Sequence, residues 1–137
     1  MKIVASLLGI ALLGGAVATA AGPVTQTFNA PIEKVWTNTE AVLKAMGWSI
    51  DKAERNIGWI STDSRRLEGE DWGVYAKGTR HALRLQLQSD GPTRTKVTVE
   101  RTVFKRERIL WMDKDEPVAA VDQNVEKDLL SAIGKTL

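Results

Sequence analysis

Between residues 32 and 46, apolar side chains and one threonine recur at intervals of three and four residues, which is the pattern of a helix with one buried face. Pro31 stands just before this stripe and Gly47 just after it, at positions that suit the first turn of a helix and the residue that ends it. The stripe consists of Ile32, Val35, Trp36, Thr39, Val42, Leu43 and Met46. The pattern therefore predicts a helix over these residues, with Trp36 in the core.

Two hairpins are predicted next, because the chain now alternates between apolar and polar residues, as strands buried on one face do. The first joins residues 48–54 and 59–64, and the second joins residues 79–90 and 95–108 through the turn sequence DGPT. In the second hairpin, the residues expected to face the core are His81, Leu83, Leu85 and Leu87. Trp48 is expected to close the corner between the helix and the first hairpin.

The remaining segments complete an α+β order. A short strand is predicted over residues 25–29, and a last helix is predicted to begin at Pro117. The stripe of that helix contains Val118, Val121, Val125, Leu129 and Ile133. Residues 64–77 have glycine and charge interruptions and no period, so they are predicted to form an exposed loop, while residues 109–117 fit a strand end or a loop. The order β-α-β-β-β-β-α predicts a two-layer sandwich, with two helices packed on one face of an antiparallel sheet.

The first 20 residues have the three parts of a secretory signal peptide. Lys2 supplies a positive charge, residues 3–18 form an uncharged apolar run, and the sequence ATA then offers the small residues that a signal peptidase requires. A retained membrane anchor is the alternative, but the run is short and rich in glycine for a span of about 20 apolar residues. Cleavage after Ala20 leaves one domain, residues 21–137, which we expect to be periplasmic or secreted and soluble.

The charge balance and the absence of cysteine exclude several kinds of function. The predicted mature domain has 18 basic side chains, which is the 19 of the whole chain without Lys2, against 17 acidic ones. This near balance argues against a nucleic-acid partner, since such domains usually carry a marked basic excess. The chain contains no cysteine, so a thiol nucleophile, a disulfide and a lipid attached to cysteine are all excluded.

The sequence contains no recognisable catalytic set of residues. His81 is the only histidine, and its place on an apolar strand face favours a partly buried structural residue over a general base. One histidine without cysteine argues against a zinc site. The acidic cluster Asp113, Asp115 and Glu116 lacks the length and central glycine of calcium loops and is interpreted as a solvated turn. We therefore expect no enzyme activity, no cofactor and no metal; a hydrolase would need His81 beside a carboxylate at a pocket.

Aromatic and basic residues outside the predicted core are the candidate binding residues. Trp72 and Tyr75 lie in the predicted loop among glycines, outside any apolar period, so they are candidates for contact with a partner. Trp111 and Met112 in the sequence ILWMDK present the same choice, closer to the core. The alternative is that the loop caps the open end of the sheet. Trp59 is out of phase with Ile60, so it is expected on the face of the sheet next to solvent or a partner. The basic candidates are Arg84, Arg101, Lys105 and Arg106. They would meet an anionic headgroup, a glycan or an acidic protein surface, unless they pair with acidic residues inside the fold.

Residues 30–63 combine a helix carrying a tryptophan, a G-x-x-I strand and, after a turn, a G-x-I-x-T strand. The residues concerned are Trp36, Gly47, Ile50, Gly58, Ile60, Thr62 and Asp63. This combination resembles the repeated domains of the BamC (NlpB-type) lipoproteins of the outer-membrane β-barrel assembly machinery. Those lipoproteins carry a lipid anchor and two such domains, whereas this chain has no cysteine and room for one. The resemblance implies a helix-grip fold, in which a long C-terminal helix lies across a curved antiparallel sheet.

The expected function is that of a small exported accessory domain that binds another protein of the cell envelope, as the resemblance implies, with a peripheral membrane contact left open. The alternative is a carrier of a lipid or other small hydrophobic ligand, held in a cavity between the sheet and the C-terminal helix. These two functions place different demands on the packing of the core. A carrier needs more apolar inward residues than two helices can cover, while an interaction module needs those residues tightly packed.

Overall fold

A computed structural model describes residues 21–120 and 122–137, so the predicted signal peptide and Val121 lie outside the described residues. Seven strands form one antiparallel sheet, and two helices pack against one face of it. In chain order the elements are β1 (Val24–Phe28), α1 (Ile32–Ala45), β2 (Ile50–Glu54), a 3-10 turn (Arg55–Ile57), β3 (Trp59–Thr62), β4 (Arg65–Asp71), β5 (Ala76–Ser89), β6 (Thr95–Ile109), β7 (Met112–Val118) and α2 (Asn124–Thr136). This arrangement confirms the predicted α+β two-layer sandwich.

The long hairpin of β5 and β6 runs through the whole sheet and divides it into two parts. In the part that the helices cover, called the body, the strand order is β1-β6-β5-β3-β2. In the other part, called the arm, β4 pairs with residues 76–81 of β5, and β7 pairs with residues 103–109 of β6. The arm comprises residues 65–81 and 103–118, and at 3.3 Å per residue it extends about 20 Å beyond the body.

The core lies between the body and the two helices. The predicted inward face of β5 is confirmed, because its four residues from His81 to Leu87 are at most 3% exposed. The helices and β6 contribute Val35, Trp36, Leu43, Val97, Val99, Leu129, Leu130 and Ile133. The side-chain nitrogen of Asn38 on α1 donates to the carbonyl oxygen of Ile133 over 2.9 Å, which ties the two helices together.

Helix α1 ends at the predicted glycine. Gly47 has a φ of 89°, a left-handed backbone that glycine adopts without strain. The N–H of Trp48 donates to the carbonyl oxygen of Leu43 over 2.9 Å, as in a Schellman C-cap. The guanidinium of Arg65 lies 3.9 Å from the ring centroid of Trp48 and donates to the carbonyl oxygen of Met46. Trp48 is buried, so its predicted place at the corner between helix and hairpin is confirmed.

The prediction of an exposed loop over residues 64–77 is wrong, because Arg65–Asp71 forms strand β4. This strand is exposed at the edge of the arm, and a bulge at Leu67 shifts its register. Gly69 and Gly78 face each other across β4 and β5, and a Cβ on either would clash with the backbone of the opposite strand. The glycines therefore permit the pairing of β4 with β5. Residues 64–77 lack an alternation of apolar and polar residues because β4 has no buried face.

The predicted start of the last helix at Pro117 is also wrong. Pro117 belongs to β7, where it pairs with Phe104, and an edge strand tolerates a proline because one side of its backbone needs no partner. Helix α2 begins only at Asn124, whose N–H donates to Oδ1 of Asp122 over 3.1 Å. Residues 109–117, which fitted a strand end or a loop, are thus a tight turn followed by a strand.

Candidate functional site

The strands of the arm are mostly polar, although Leu67 and Val118 are exposed on them, and six large exposed apolar or aromatic side chains lie at its far end. Strand β4 is exposed apart from Arg65, and strand β7 is exposed throughout. Charged residues and Pro117 line β7, and a bulge interrupts β4. Such features protect an open sheet edge from pairing with another strand. The edges of the arm are therefore unsuited to strand addition.

Two turns lie side by side at the end of the arm, and together they are called the tip (residues 72–75 and 109–112). The first turn joins β4 to β5, and the second, centred on Leu110 and Trp111, joins β6 to β7. Six large side chains of the tip are 48% to 73% exposed, namely Trp72, Tyr75, Ile109, Leu110, Trp111 and Met112. The structure thus brings the three aromatic candidates at positions 72, 75 and 111 together in one apolar surface.

The second turn has a backbone that is unusual for its residues. Leu110 has a φ of 53° and Trp111 a φ of 69°, and they form the two-residue loop between the paired residues Ile109 and Met112. A loop with positive φ at both central residues is a type I′ turn, which favours Asn-Gly. Each bulky residue held there costs roughly 1–3 kcal/mol in backbone strain. The tip holds two such residues in succession and exposes both.

Hydrogen bonds fix the two turns to each other. The N–H of Trp111 donates to the carbonyl oxygen of Val74 over 3.3 Å, which joins the second turn to the first. Asp71 caps the first turn, since its Oδ1 accepts the N–H of Gly73 over 3.0 Å. The apolar side chains are therefore presented by a fixed frame.

Arg108 completes this frame by contacting three segments of the arm. Its Nη1 donates to Oδ1 of Asp71 and to the carbonyl oxygen of Gly73, each over 3.1 Å, and its Nε donates to Oδ1 of Asp113 over 2.6 Å. The hydrogen bond with Asp113 raises the pKa of Arg108 above its ordinary value. The N–H of Gly73, followed by the charge of Arg108, lowers the pKa of Asp71. Both groups therefore stay ionised through neutral pH.

Behind the tip, Arg106 is paired within the arm. Its Nε and Nη2 donate to the two carboxylate oxygens of Asp115 over 2.8 and 3.0 Å, a bidentate arrangement. This bonding raises the pKa of Arg106 and lowers that of Asp115. Lys105, which was predicted as a binding residue together with Arg106, is exposed and lines an open depression of about 430 Å³ on the arm.

Trp59 and Arg84 lie on the body, away from the tip. Ile60 is fully buried under the helices, so its neighbour Trp59 lies on the opposite face of the sheet, as the phase of the strand predicts. The guanidinium of Arg84 lies 4.9 Å from the ring centroid of Trp59 and within 4.0 Å of Glu100. These residues line a shallow depression of about 200 Å³. The structure therefore leaves these two candidates separate from the aromatic residues of the arm.

Arg101, predicted as a surface cation, is instead an interior residue. Its side chain is 6% exposed, and its Nε donates to Oε1 of the buried Glu126 over 3.1 Å. Its Nη1 lies 3.3 Å from Nδ1 of His81, and its Nη2 lies 3.6 Å from Oδ1 of Asp122. The side chain turns inward because it is in phase with the buried Val99 of the same strand, and the start of α2 supplies the carboxylates.

His81 is packed in the interior, and its surroundings keep it neutral. It is 3% exposed, and its ring centroid lies 4.8 Å from that of Trp48. Burial, followed by the positive charges of Arg101 and Arg65, lowers the pKa of His81 to about 4. Because Arg101 can only donate, Nδ1 of the imidazole accepts and the proton lies on Nε2. A buried group with this pKa is poorly matched to general-base catalysis near neutral pH.

The sequence analysis did not identify Ile109 or Leu110 as contact residues, nor Arg108 as the residue that joins the two turns. A signal was present in ILWM, where four apolar residues run together between strongly charged segments. It was not decisive, because such a run can also be the end of a buried strand. Arg108 could not be found at all, since its partner Asp71 is 37 residues away in the chain.

Comparisons with known proteins identify no family for this chain. No protein-family model matches it, and no curated protein matches its sequence. Within residues 21–120 and 122–137, no three His, Asp or Glu side chains lie close enough together to hold a metal ion. Neither helix of these ranges has the length and apolar content needed to cross a membrane. The function is therefore argued from the tip and the fold.

Proposed function

We propose that this protein is an exported, non-enzymatic binding domain of the cell envelope, and that the tip is its docking element. The observation that carries the proposal is the turn of Leu110 and Trp111, two bulky apolar residues that are both exposed and both held at positive φ. The envelope setting rests on the predicted signal peptide and on the resemblance to BamC-type domains, and both of these remain predictions.

The residues of this turn do not serve the stability of the fold. Asn-Gly in place of Leu110 and Trp111 would relieve the backbone strain and remove apolar surface from water. Residues that conflict with both local backbone preference and burial are typical of functional sites. Trp72 and Tyr75 support the same conclusion, because they are exposed in a turn that would accept polar residues.

The apolar surface of the tip is large enough for a reversible contact. Full burial of one large apolar side chain contributes about 1.5–3 kcal/mol, and the six side chains of the tip are 48% to 73% exposed. Their burial against a partner would contribute on the order of 5–10 kcal/mol, before the entropy lost on association is subtracted. This range corresponds to weak or moderate binding.

The alternative of a ligand carrier has less support from the core. The space between sheet and helices is filled by side chains such as Leu43, Leu85 and Leu129, which are at most 2% exposed. A depression of about 400 Å³ opens beside the start of α2, but the interior residue Arg101 is part of its lining. A packed core of this kind is what an interaction module requires.

Photocrosslinking in cells tests the proposal. A photoreactive phenylalanine analogue at position 111 places the probe on the tip, and the same analogue at position 57 is the matched control, because Ile57 is 59% exposed on the body. Docking through the tip predicts adducts with an envelope component from position 111 and none from position 57. Equal adducts from both positions, or none from either, would reject the tip as the docking element.

A second variant separates docking from folding. Leu110→Asn combined with Trp111→Gly removes two tip side chains while giving the turn its preferred residues. With the probe moved to position 72, this variant should form fewer adducts than the parent protein although its circular dichroism spectrum is unchanged. Undiminished adducts would show that the second turn does not contribute to docking.

A further inference from the structure

We infer that the tip inserts into the interfacial layer of a lipid bilayer, so that the partner of the arm is a membrane surface. This inference rests on the proposed function, in which the tip is the docking element. It is carried by the way charged and uncharged residues are distributed along the arm.

Polarity changes at one level across all four strands of the arm. One row of paired residues across β4, β5, β6 and β7 consists of Asp71, Ala76, Arg108 and Asp113. Beyond this boundary row, residues 72–75 and 109–112 include no charged side chain. The next row towards the body is charged on every strand and consists of Glu70, Lys77, Glu107 and Lys114.

This boundary lies across the axis of the arm, so the uncharged part is a cap on its end. A planar interface such as a bilayer surface imposes a polarity change of this shape. A protein interface has an apolar centre with a polar rim, but it does not require the boundary to lie at one level on every strand. The shape of the uncharged region therefore favours the membrane.

The depth of the cap suits the interfacial layer. Leu110 lies two residues beyond Arg108 and Trp111 two residues beyond Asp113, or about 7 Å at 3.3 Å per residue. Segments that lie in a membrane interface are buried by about 5–10 Å. Tryptophan and tyrosine prefer this layer because their rings combine an apolar body with a polar group, and Trp72, Tyr75 and Trp111 supply three such rings.

Part of the backbone of the tip is already paired within the arm. The N–H groups of Trp72 and Trp111 donate to the carbonyl oxygens of Tyr75 and Val74. The N–H and carbonyl groups of Gly73 are bonded to side chains of the boundary row. Because an unpaired backbone group is costly in a bilayer, the pairing of these groups lowers the cost of insertion.

The charges behind the tip indicate which lipids it accepts. Arg108 lies between Asp71 and Asp113, which neutralise it. The boundary row and the next row together contain three basic and four acidic residues, so no basic collar surrounds the tip. Attraction to anionic lipid depends on such a basic excess and is screened by salt. Insertion should therefore need neither anionic lipid nor low ionic strength.

Vesicle flotation with the exported protein tests the inference. Mass spectrometry first establishes the N-terminus, so that the apolar run within residues 1–20 does not contribute to binding. The vesicles are phosphatidylcholine alone or phosphatidylcholine with phosphatidylglycerol, at about 0.1 M and about 0.5 M NaCl. We expect flotation in all four conditions, and quenching of tryptophan fluorescence when the lipid is brominated. Leu110→Asn with Trp111→Gly should reduce the affinity about tenfold or more, whereas the control Ile57→Asn should not change it.

Several results would overturn the inference. Binding that requires phosphatidylglycerol and survives the double substitution would assign the contact to basic side chains. No flotation, together with protein adducts from position 111 in cells, would reject the membrane as partner and keep the tip as docking element. No flotation and no adducts from position 111 would reject both the inference and the proposed function.

Discussion

The Nη1 atom of Arg108 lies 3.1 Å from Oδ1 of Asp71, although the two residues are 37 positions apart. This contact joins the turn after β4 to the base of the turn after β6. It makes one surface from two loops that are distant in sequence. The tip depends on this bridge for its shape, and the body does not.

Replacing Arg108 should therefore loosen the tip without unfolding the protein. In Arg108→Gln, the amide of Trp111 should exchange its hydrogen faster, because the two turns lose the guanidinium between them. The unfolding midpoint should change little, since partly exposed ion pairs contribute little to stability. Hydrogen-exchange mass spectrometry is the measurement, and Arg84→Gln on the body is the control, which should leave exchange at the tip unchanged.

The double substitution Leu110→Asn with Trp111→Gly should stabilise the fold. The two parent residues have φ values of 53° and 69°, and relief of the strain at both should raise the free energy of unfolding by about 2 kcal/mol or more. Urea denaturation measures the change. A loss of stability would mean that these side chains support the arm, and it would contradict the argument that they are present for docking.

Stability should depend on pH through His81. Its pKa is about 4 in the folded protein and 6.5 as the ordinary value. Between these pH values the unfolded chain binds a proton that the folded chain does not, so stability falls as the pH falls from 6.5 to 4. The loss from this residue should approach about 3 kcal/mol. His81→Asn, whose side-chain oxygen can still accept from Arg101, should flatten the urea midpoint over this range, and an unchanged slope would contradict the prediction.

The buried ion pair of Arg101 and Glu126 should contribute far more to stability than the exposed ion pair of Arg84 and Glu100. Glu126→Gln removes the buried carboxylate and leaves the guanidinium of Arg101 with only the partly exposed Asp122, so it should cost about 3 kcal/mol. Glu100→Gln removes the exposed partner of Arg84 and should cost less than about 1 kcal/mol. Thermal unfolding of both variants compares them directly, and equal losses would argue against a structural role for the buried pair.

The close approach of Gly78 to Gly69 should make the arm sensitive to a single methyl group. In Gly78→Ala, the new Cβ meets the backbone of Glu68, so β4 should separate from β5 while the body stays folded. Hydrogen exchange of residues 65–71 should rise. Gly22→Ala is the control, because nothing lies within 4 Å of a Cβ at that position, and protection of β4 in the Gly78 variant would contradict the prediction.

The sequence by itself determined the body. The spacing of apolar residues predicts helix α1, both hairpins of the body and the inward face of β5. It does so because each of these elements buries one side against the same core. Gly47 and Trp48 were placed correctly for the same reason, since the end of a helix and its corner are local structures. The role of the N-terminal segment and the resemblance to BamC-type domains stay predictions.

Only the tertiary structure decided the arm and its tip. Strands β4 and β7 lie in the open, so no buried face imposes an alternating pattern on Arg65–Asp71 or Met112–Val118. Arg101 looked like a surface cation because the acidic partner that draws it inward, Glu126, lies on a helix 25 residues later. The apolar residues at positions 72 and 111 become one surface through strand pairing alone, and a contact set by the pairing of distant strands leaves no local pattern in the chain.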